Sequence, residues 1–148
     1  MQDAFKSDLE AGLNVELAVL EIIKKKYPCA VQISGKFKGY DIWIPEIHKS
    51  VEVKSDQKSQ HTGNFVIEVE MYGKPSALLT TTADYWVIYD GQEYIWITTQ
   101  KIFECVTRSR LRPALFTGRG DTQQKLAYLV PTKTIKQFSE NGACAWEH

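Results

Sequence analysis

Cysteine is scarce in this chain. Cys29, Cys105 and Cys144 are widely spaced and odd in number, so neither a disulfide scaffold nor a CxxC zinc site fits. The three histidines form no HxxxH pair, and a structural metal is not expected. Net charge is also missing: 18 Lys+Arg cancel 18 Asp+Glu. That disfavours a nucleic-acid binder held by bulk charge, while leaving room for a local basic patch. No apolar run approaches the roughly 20 residues a membrane span needs. The opening MQDAFKSDLE lacks the basic-then-apolar signature of a signal peptide. A cytoplasmic protein without a membrane partner is the expectation. There is no repeat and no low-complexity linker. Apolar residues at 43% and charged residues at 24% are globular values, and 148 residues suit a single domain spanning 1–148.

What is present begins with a helical pattern over residues 3–26, where Phe5, Leu9, Leu13, Leu17 and Leu20 recur at spacings of four and three. Three lysines, 24–26, suit its C-terminal dipole, and Pro28 stops it. Strands are predicted at Cys29–Ser34, Tyr40–Pro45 and Ser50–Ser55, with a short hairpin loop between the last two. Asn64–Met71 alternates, with Phe65, Ile67, Val69 and Met71 on one face and Val66, Glu68 and Glu70 on the other. Residues 73–82 read as a loop with a short helix. Asp84–Tyr89 and Tyr94–Thr98 are joined across the hairpin signal Asp90-Gly91. A helix over Thr99–Ser109, a strand at Leu126–Val130 and a helix over Thr132–Ser139 complete the order. Tyr85, Trp86, Trp96 and Phe103 are core candidates, and Cys105 reads as buried and inert. One long helix, consecutive strands and then short helices indicate an α+β (mixed α/β) fold with a central mixed sheet flanked by helices.

The chemistry-bearing stretch is Gly39-Tyr40-Asp41-Ile42-Trp43-Ile44 followed by Val51-Glu52-Val53-Lys54. Strand alternation sets Glu52 and Lys54 on one face and Val51 and Val53 on the other. A hairpin pairing Asp41 with either Glu52 or Lys54 gathers the three charges. The same registers keep Ile42, Ile44, Val51 and Val53 in one apolar layer, which registers offset by one residue would split. Two carboxylates and an ammonium beside a core suit a hard divalent cation, which takes one or two carboxylates plus waters and substrate phosphate. Such a cation polarises a phosphodiester and lowers the pKa of bound water, and the lysine stabilises developing charge. Glu16 projects from the apolar side of the first helix, where a carboxylate is costly unless partnered. Glu21 lies toward the polar face. The alternative for the three charges is a cross-strand salt bridge on a solvated sheet.

Helix-Glu16, then Asp41, then Glu52-Val53-Lys54 on a hairpin resembles the PD-(D/E)xK nuclease superfamily. The layout is most similar to small archaeal-type Holliday-junction resolvases and related phage nucleases. The block Thr62-Gly63-Asn64, Glu68, Gly73-Lys74-Pro75-Ser76 and Thr82-Ala83-Asp84-Tyr85-Trp86 adds to the likeness. Tyr40 stands where the family often has proline. The resemblance implies a restriction-endonuclease-like fold and Mg²⁺- or Mn²⁺-dependent hydrolysis of DNA. Asp41, Glu52 and the Val53 carbonyl would be metal ligands, Lys54 the catalytic lysine, and Glu16 a metal- or water-linked carboxylate. Lys36, Lys38, Lys58, Lys74, Ser76 and the stretch Arg108, Arg110, Arg112 and Arg119 are candidate contacts to nucleic-acid phosphates. A homodimer suits the small size. The rival readings are an inactive nuclease fold serving as a nucleic-acid-binding or assembly module, and an interaction domain with surface salt bridges.

Overall fold

The amphipathic N-terminal stretch forms α1 (Gln2–Lys24) in a computed structural model that describes residues 2–35, 39–109, 111–117 and 124–139. Its buried face carries Val15, Val19, Leu20 and Ile23, together with the Glu16 carboxylate. This corrects the expected leucine stripe: Leu17 is 46% exposed, because it lies roughly two fifths of a turn round the helix from the Val19–Ile23 line. The side chains of Phe5, Leu9 and Leu13 lie outside the described set.

The strands are β1 (Val31–Gln32), β2 (Ile42–Ile44), β3 (Lys49–Ser55), β4 (Asn64–Met71), β5 (Lys74–Pro75), β6 (Tyr85–Tyr89), β7 (Tyr94–Thr98), β8 (Ala114–Thr117) and β9 (Gln124–Pro131). Between them lie α2 (Ser59–Thr62), a 3₁₀ turn at Ala77–Leu79 and α3 (Thr99–Arg108), and α4 (Thr132–Phe138) follows β9. The architecture is mixed α+β, as the element order indicated. The mixed sheet is present, and among the described residues it is accompanied by a second, antiparallel one. The first has order β1-β2-β3-β6-β7, and the second β5-β4-β9-β8. The pairing of β3 with β6 is parallel and the other pairings in the first sheet are antiparallel. The predicted strand at 29–34 shrinks to two exposed residues.

The first sheet is covered on both faces. Val15, Val19, Leu20 and Ile23 pack with Ile42, Ile44, Val51, Val87 and Trp96 on one side. On the other, Trp86, Ile88, Ile95 and Ile97 meet Phe65, Ile67, Val69 and Val130 of the second sheet, plus Ile102, Cys105 and Val106 of α3 and Ile135 of α4. That double coverage explains the unbroken buried run Trp86-Val87-Ile88 in β6. Cys105 is buried as expected, and burial raises its thiol pKa. Phe103 is not core but 40% exposed, since α3 turns Ile102, Cys105 and Val106 inward instead. Thr98 caps α3, its hydroxyl accepting from the Lys101 N–H at 3.1 Å. Asp90 closes the β6–β7 turn by accepting from the Gln92 and Glu93 N–H groups at 2.8 Å each.

Candidate active site

The β2–β3 hairpin pairs Ile42 with Val51, Trp43 with Ser50 and Ile44 with Lys49. Continued by one residue, this register sets Asp41 against Glu52, one of the two arrangements the apolar layer allowed. The layer itself forms: Ile42, Ile44 and Val51 are fully buried beneath α1, and Val53 packs at their edge. Glu52 and Lys54 project from the opposite face, beside the second sheet. There the Lys54 ammonium stands 3.2 Å from the Glu52 carboxylate and 5.8 Å from the Trp86 ring centroid. Parallel pairing of Glu52 with Trp86 and of Lys54 with Ile88 explains why the pair overlies that ring.

Asp41 sits at a bend just before β2 and is buried. Its backbone N–H donates to the Val51 carbonyl at 2.9 Å, while its Oδ2 accepts from the Val53 N–H at 2.8 Å. The carboxylate therefore continues the β2–β3 ladder where the β2 backbone bends away. The N–H and C=O of one strand residue leave on the same edge, so the Val53 carbonyl points to the Asp41 side as well.

A cavity of about 200 Å³ opens over this end of β3, lined by Gly39, Glu52, Lys54, Glu68, Ala77, Thr80 and Thr81. Glu68 comes from β4 and is held there by Ser76, whose hydroxyl donates to Oε2 at 2.8 Å, and by Lys125 at 3.6 Å. A bulge between Glu68 and Glu70 separates the two acids. Glu70 instead borders a hollow with Tyr72 and Leu115. Ala77, at the cavity's floor, has φ of +41°, a strained conformation for a residue with a Cβ. The Thr80–Thr82 segment closes over Gly39, whose carbonyl accepts from the Thr82 N–H at 3.2 Å and the Thr81 hydroxyl at 3.3 Å. Asp84 fastens the starts of β3 and β6 together: its Oδ2 accepts from the Ser50 N–H at 2.9 Å and the Ser50 hydroxyl at 3.1 Å.

The remaining candidates are more scattered. Glu16 is buried on α1, with Oε1 accepting from Gln32 Nε2 of β1 at 3.0 Å. It belongs to the helix-covered side of the sheet and does not line the cavity. Glu21 is exposed, as expected. Among the described residues, no group of three or more His, Cys, Asp and Glu is placed to hold a metal ion. Lys58 and Lys74 are exposed beside α2 and on β5, and Arg112 is exposed. Arg108 lies over the Phe138 ring at 5.9 Å, on the α3–α4 side. Lys36, Lys38, Arg110 and Arg119 lie outside the described residues. The site residues that the sequence motifs did not single out are Ala77, Thr80, Thr81 and Lys125. Gly39 opens the Asp41 motif.

Comparison of the chain with protein-family models, with curated proteins and with solved structures gives no match. Among the described residues, no helix is long and apolar enough to cross a membrane.

Proposed function

We propose that the chain is a metal-dependent nuclease of the PD-(D/E)xK kind that hydrolyses phosphodiester bonds in DNA. The observation that carries the reading is the convergence of Asp41, Glu52 and Lys54 on one end of β3, with Asp41 bonded to the backbone of the residue between the other two. An exposed salt bridge needs no such third member.

The donor set fits a hard cation. Asp41, Glu52 and the Val53 carbonyl offer only oxygen, and one or two carboxylates with waters are the usual protein share for Mg²⁺ or Mn²⁺. When bound, the cation would supply Lewis-acid polarisation of the phosphodiester and a lowered pKa for an attacking water. The chain's own groups do the rest. Lys54, with 43% of its side chain exposed, reaches solvent from the cavity and can donate to a non-bridging phosphate oxygen as charge develops. Glu52 holds that ammonium at the cavity, and the Asp41 bond to Val53 fixes the strand beneath it. Glu16 accepts from Gln32 of β1 on the helix-covered side of the same sheet. Lys58 and Lys74, both exposed, would meet flanking backbone.

The test is cleavage of linear, flapped, branched and single-stranded DNA with Mg²⁺ or Mn²⁺, alongside calorimetric titration of the metal alone. Metal-dependent cutting by the wild type, and a metal site lost in Asp41→Asn, are expected. No cutting of any substrate and no heat of metal binding would overturn the reading in favour of an interaction domain.

A further inference from the structure

The cleft continues past Glu52 into a compartment of about 220 Å³ lined in part by Lys54, Glu68 and Lys125. From Lys125 the second sheet leads outward. Met71 of β4 stands opposite both Lys125 of β9 and Lys74 of β5, so the two lysines flank it on the cleft face of the sheet. Lys74 is exposed. Glu70, Leu126 and Leu115 are in register with one another on the other face. Only Tyr72 and Gly73 join Met71 to Lys74, with φ of +55° and +73°. Left-handed φ at both places is the tight hairpin turn that favours Asn, Asp or Gly first. Tyrosine there is a strained choice, and strain of this kind collects at functional sites. The turn is also held still, since the Tyr72 N–H donates to the Gln124 carbonyl at 3.1 Å. The tyrosine itself is 60% exposed.

Tyr72 borders the largest hollow found among the described residues, about 460 Å³, which Glu70, Gly73, Leu115, Gln124 and Leu126 also line. That volume lies within the roughly 300–1,000 Å³ of small-ligand sites. An open aromatic ring beside two leucines is a surface on which an unpaired base stacks. Glu70 decides which base. An ionised carboxylate only accepts hydrogen bonds. Guanine sets its N1–H and N2 amino group side by side as donors, whereas thymine flanks a lone N–H with two carbonyls that a carboxylate repels. We propose that the hollow is a base-binding site for an unpaired guanine of the substrate strand, stacked on Tyr72 with its donor edge on Glu70, while Lys74 meets phosphate on the other face of the turn. The inference rests on the nuclease reading and adds to it the strand state and a base preference of the substrate.

Binding is measured by fluorescence anisotropy without divalent cations, so that the metal site does not enter. The probes are a labelled oligothymidylate and the same strand carrying one guanine. The wild type should bind the guanine probe about tenfold more tightly. Tyr72→Phe should retain that affinity. Tyr72→Asn suits the turn, so it should melt no lower than the wild type yet bind the guanine probe about tenfold more weakly. Glu70→Gln should narrow the gap between the probes. Lys74→Ala should weaken both alike and reduce the slope of log affinity against log salt by about 0.7. Equal wild-type affinity for the two probes, full affinity in Tyr72→Asn, or full discrimination in Glu70→Gln overturns the proposal. Self-association that Tyr72→Asn abolishes in light scattering, with binding blind to guanine, gives the hollow to a second copy of the chain and overturns it equally. Metal-dependent cleavage with guanine-blind binding removes the base site and leaves the nuclease reading standing. Guanine binding through Tyr72 and Glu70, without cleavage of any substrate, does the reverse.

Discussion

Asp41 is asked to do two jobs, and two substitutions separate them. Its Oδ2 accepts the Val53 N–H at 2.8 Å while the residue is buried. Asp41→Ala strands that donor, which costs about 1–3 kcal/mol. For a domain of this length each kcal/mol lowers Tm by about 2–4 °C, so a loss near 2 kcal/mol corresponds to a fall of about 4–8 °C. Asp41→Asn keeps an acceptor oxygen and loses only the charge-assisted share of the bond, roughly half its strength. Its expected loss is about 1 kcal/mol, or about 2–4 °C. Cleavage should respond differently, because an amide is a poor ligand for a hard cation. Both variants should lose at least about a thousandfold in single-turnover rate, about 4 kcal/mol at 1.4 kcal/mol per tenfold. Thermal melts without metal and single-turnover assays in Mg²⁺ supply the two axes. Asn cutting within tenfold of wild type refutes the ligand role. Asn melting as low as Ala refutes the hydrogen-bond role.

Glu52→Gln and Lys54→Ala should each abolish cleavage while shifting stability by less than about 1 kcal/mol, since a pair that opens to solvent through Lys54 adds little to folding; chemical denaturation beside the cleavage assay checks both. Glu16→Gln keeps an acceptor for Gln32, so a purely structural Glu16 leaves turnover intact, whereas one linked to metal lowers it by about one to three orders of magnitude, less so in excess Mn²⁺. Glu21→Gln is the same-helix control. Gly39→Ala should lose about 1–3 kcal/mol, because the new Cβ meets the Thr82 hydroxyl and lies 3.2 Å from the Thr82 Cβ. Thr82→Ala in the same chain should recover part of that loss in thermal melts. Burial raises the Asp56 pKa above 3.8, outweighing its bonds from Val66 and Ser59. The protonated form is thus the one folding favours, and Asp56's contribution to stability is lost as pH rises from 3.8 through the folded pKa. Asp56→Asn should flatten that part of the pH profile in urea titrations, and parallel curves for the two proteins would remove Asp56 as its source.

The features read correctly from sequence are those set by near neighbours. Alternation in Val51-Glu52-Val53-Lys54 decides which side chains share a face whatever the strand later pairs with. The apolar layer of Ile42, Ile44 and Val51 then admits only registers that bring Asp41 to the charges. Asp90-Gly91 closes its hairpin because Asp90 can bond the next backbone amides, with Gly91 at φ of +103°. The leucine stripe of α1 misled because spacing alone does not say which of two apolar lines faces the sheet. Leu13, Leu17 and Leu20 form one such line, and Val15, Val19 and Ile23 another; the sheet took the second, with Leu20 at its border. Phe103 misled in the same way.

What stayed hidden was non-local. Asn64–Met71 has strand alternation, but nothing in it says that its partner is Gln124–Pro131, more than fifty residues on, or that the two leave the first sheet to form their own. That pairing makes the cleft. Glu68 opposite Ala127, with a bulge just beyond it, brings Lys125 diagonally within 3.6 Å of the Glu68 carboxylate. A straight ladder after Glu68 would have paired Val69 with Leu126 and turned Glu70 toward the same side. The bulge instead spends one residue, sends Glu70 to the Tyr72 hollow and leaves a single acid between Lys54 and Lys125. A second carboxylate there would repel both Glu52 and any phosphate. One residue of irregularity in β4 thus keeps this compartment from becoming acidic, which is the electrostatic condition that the proposed nucleic-acid substrate would need.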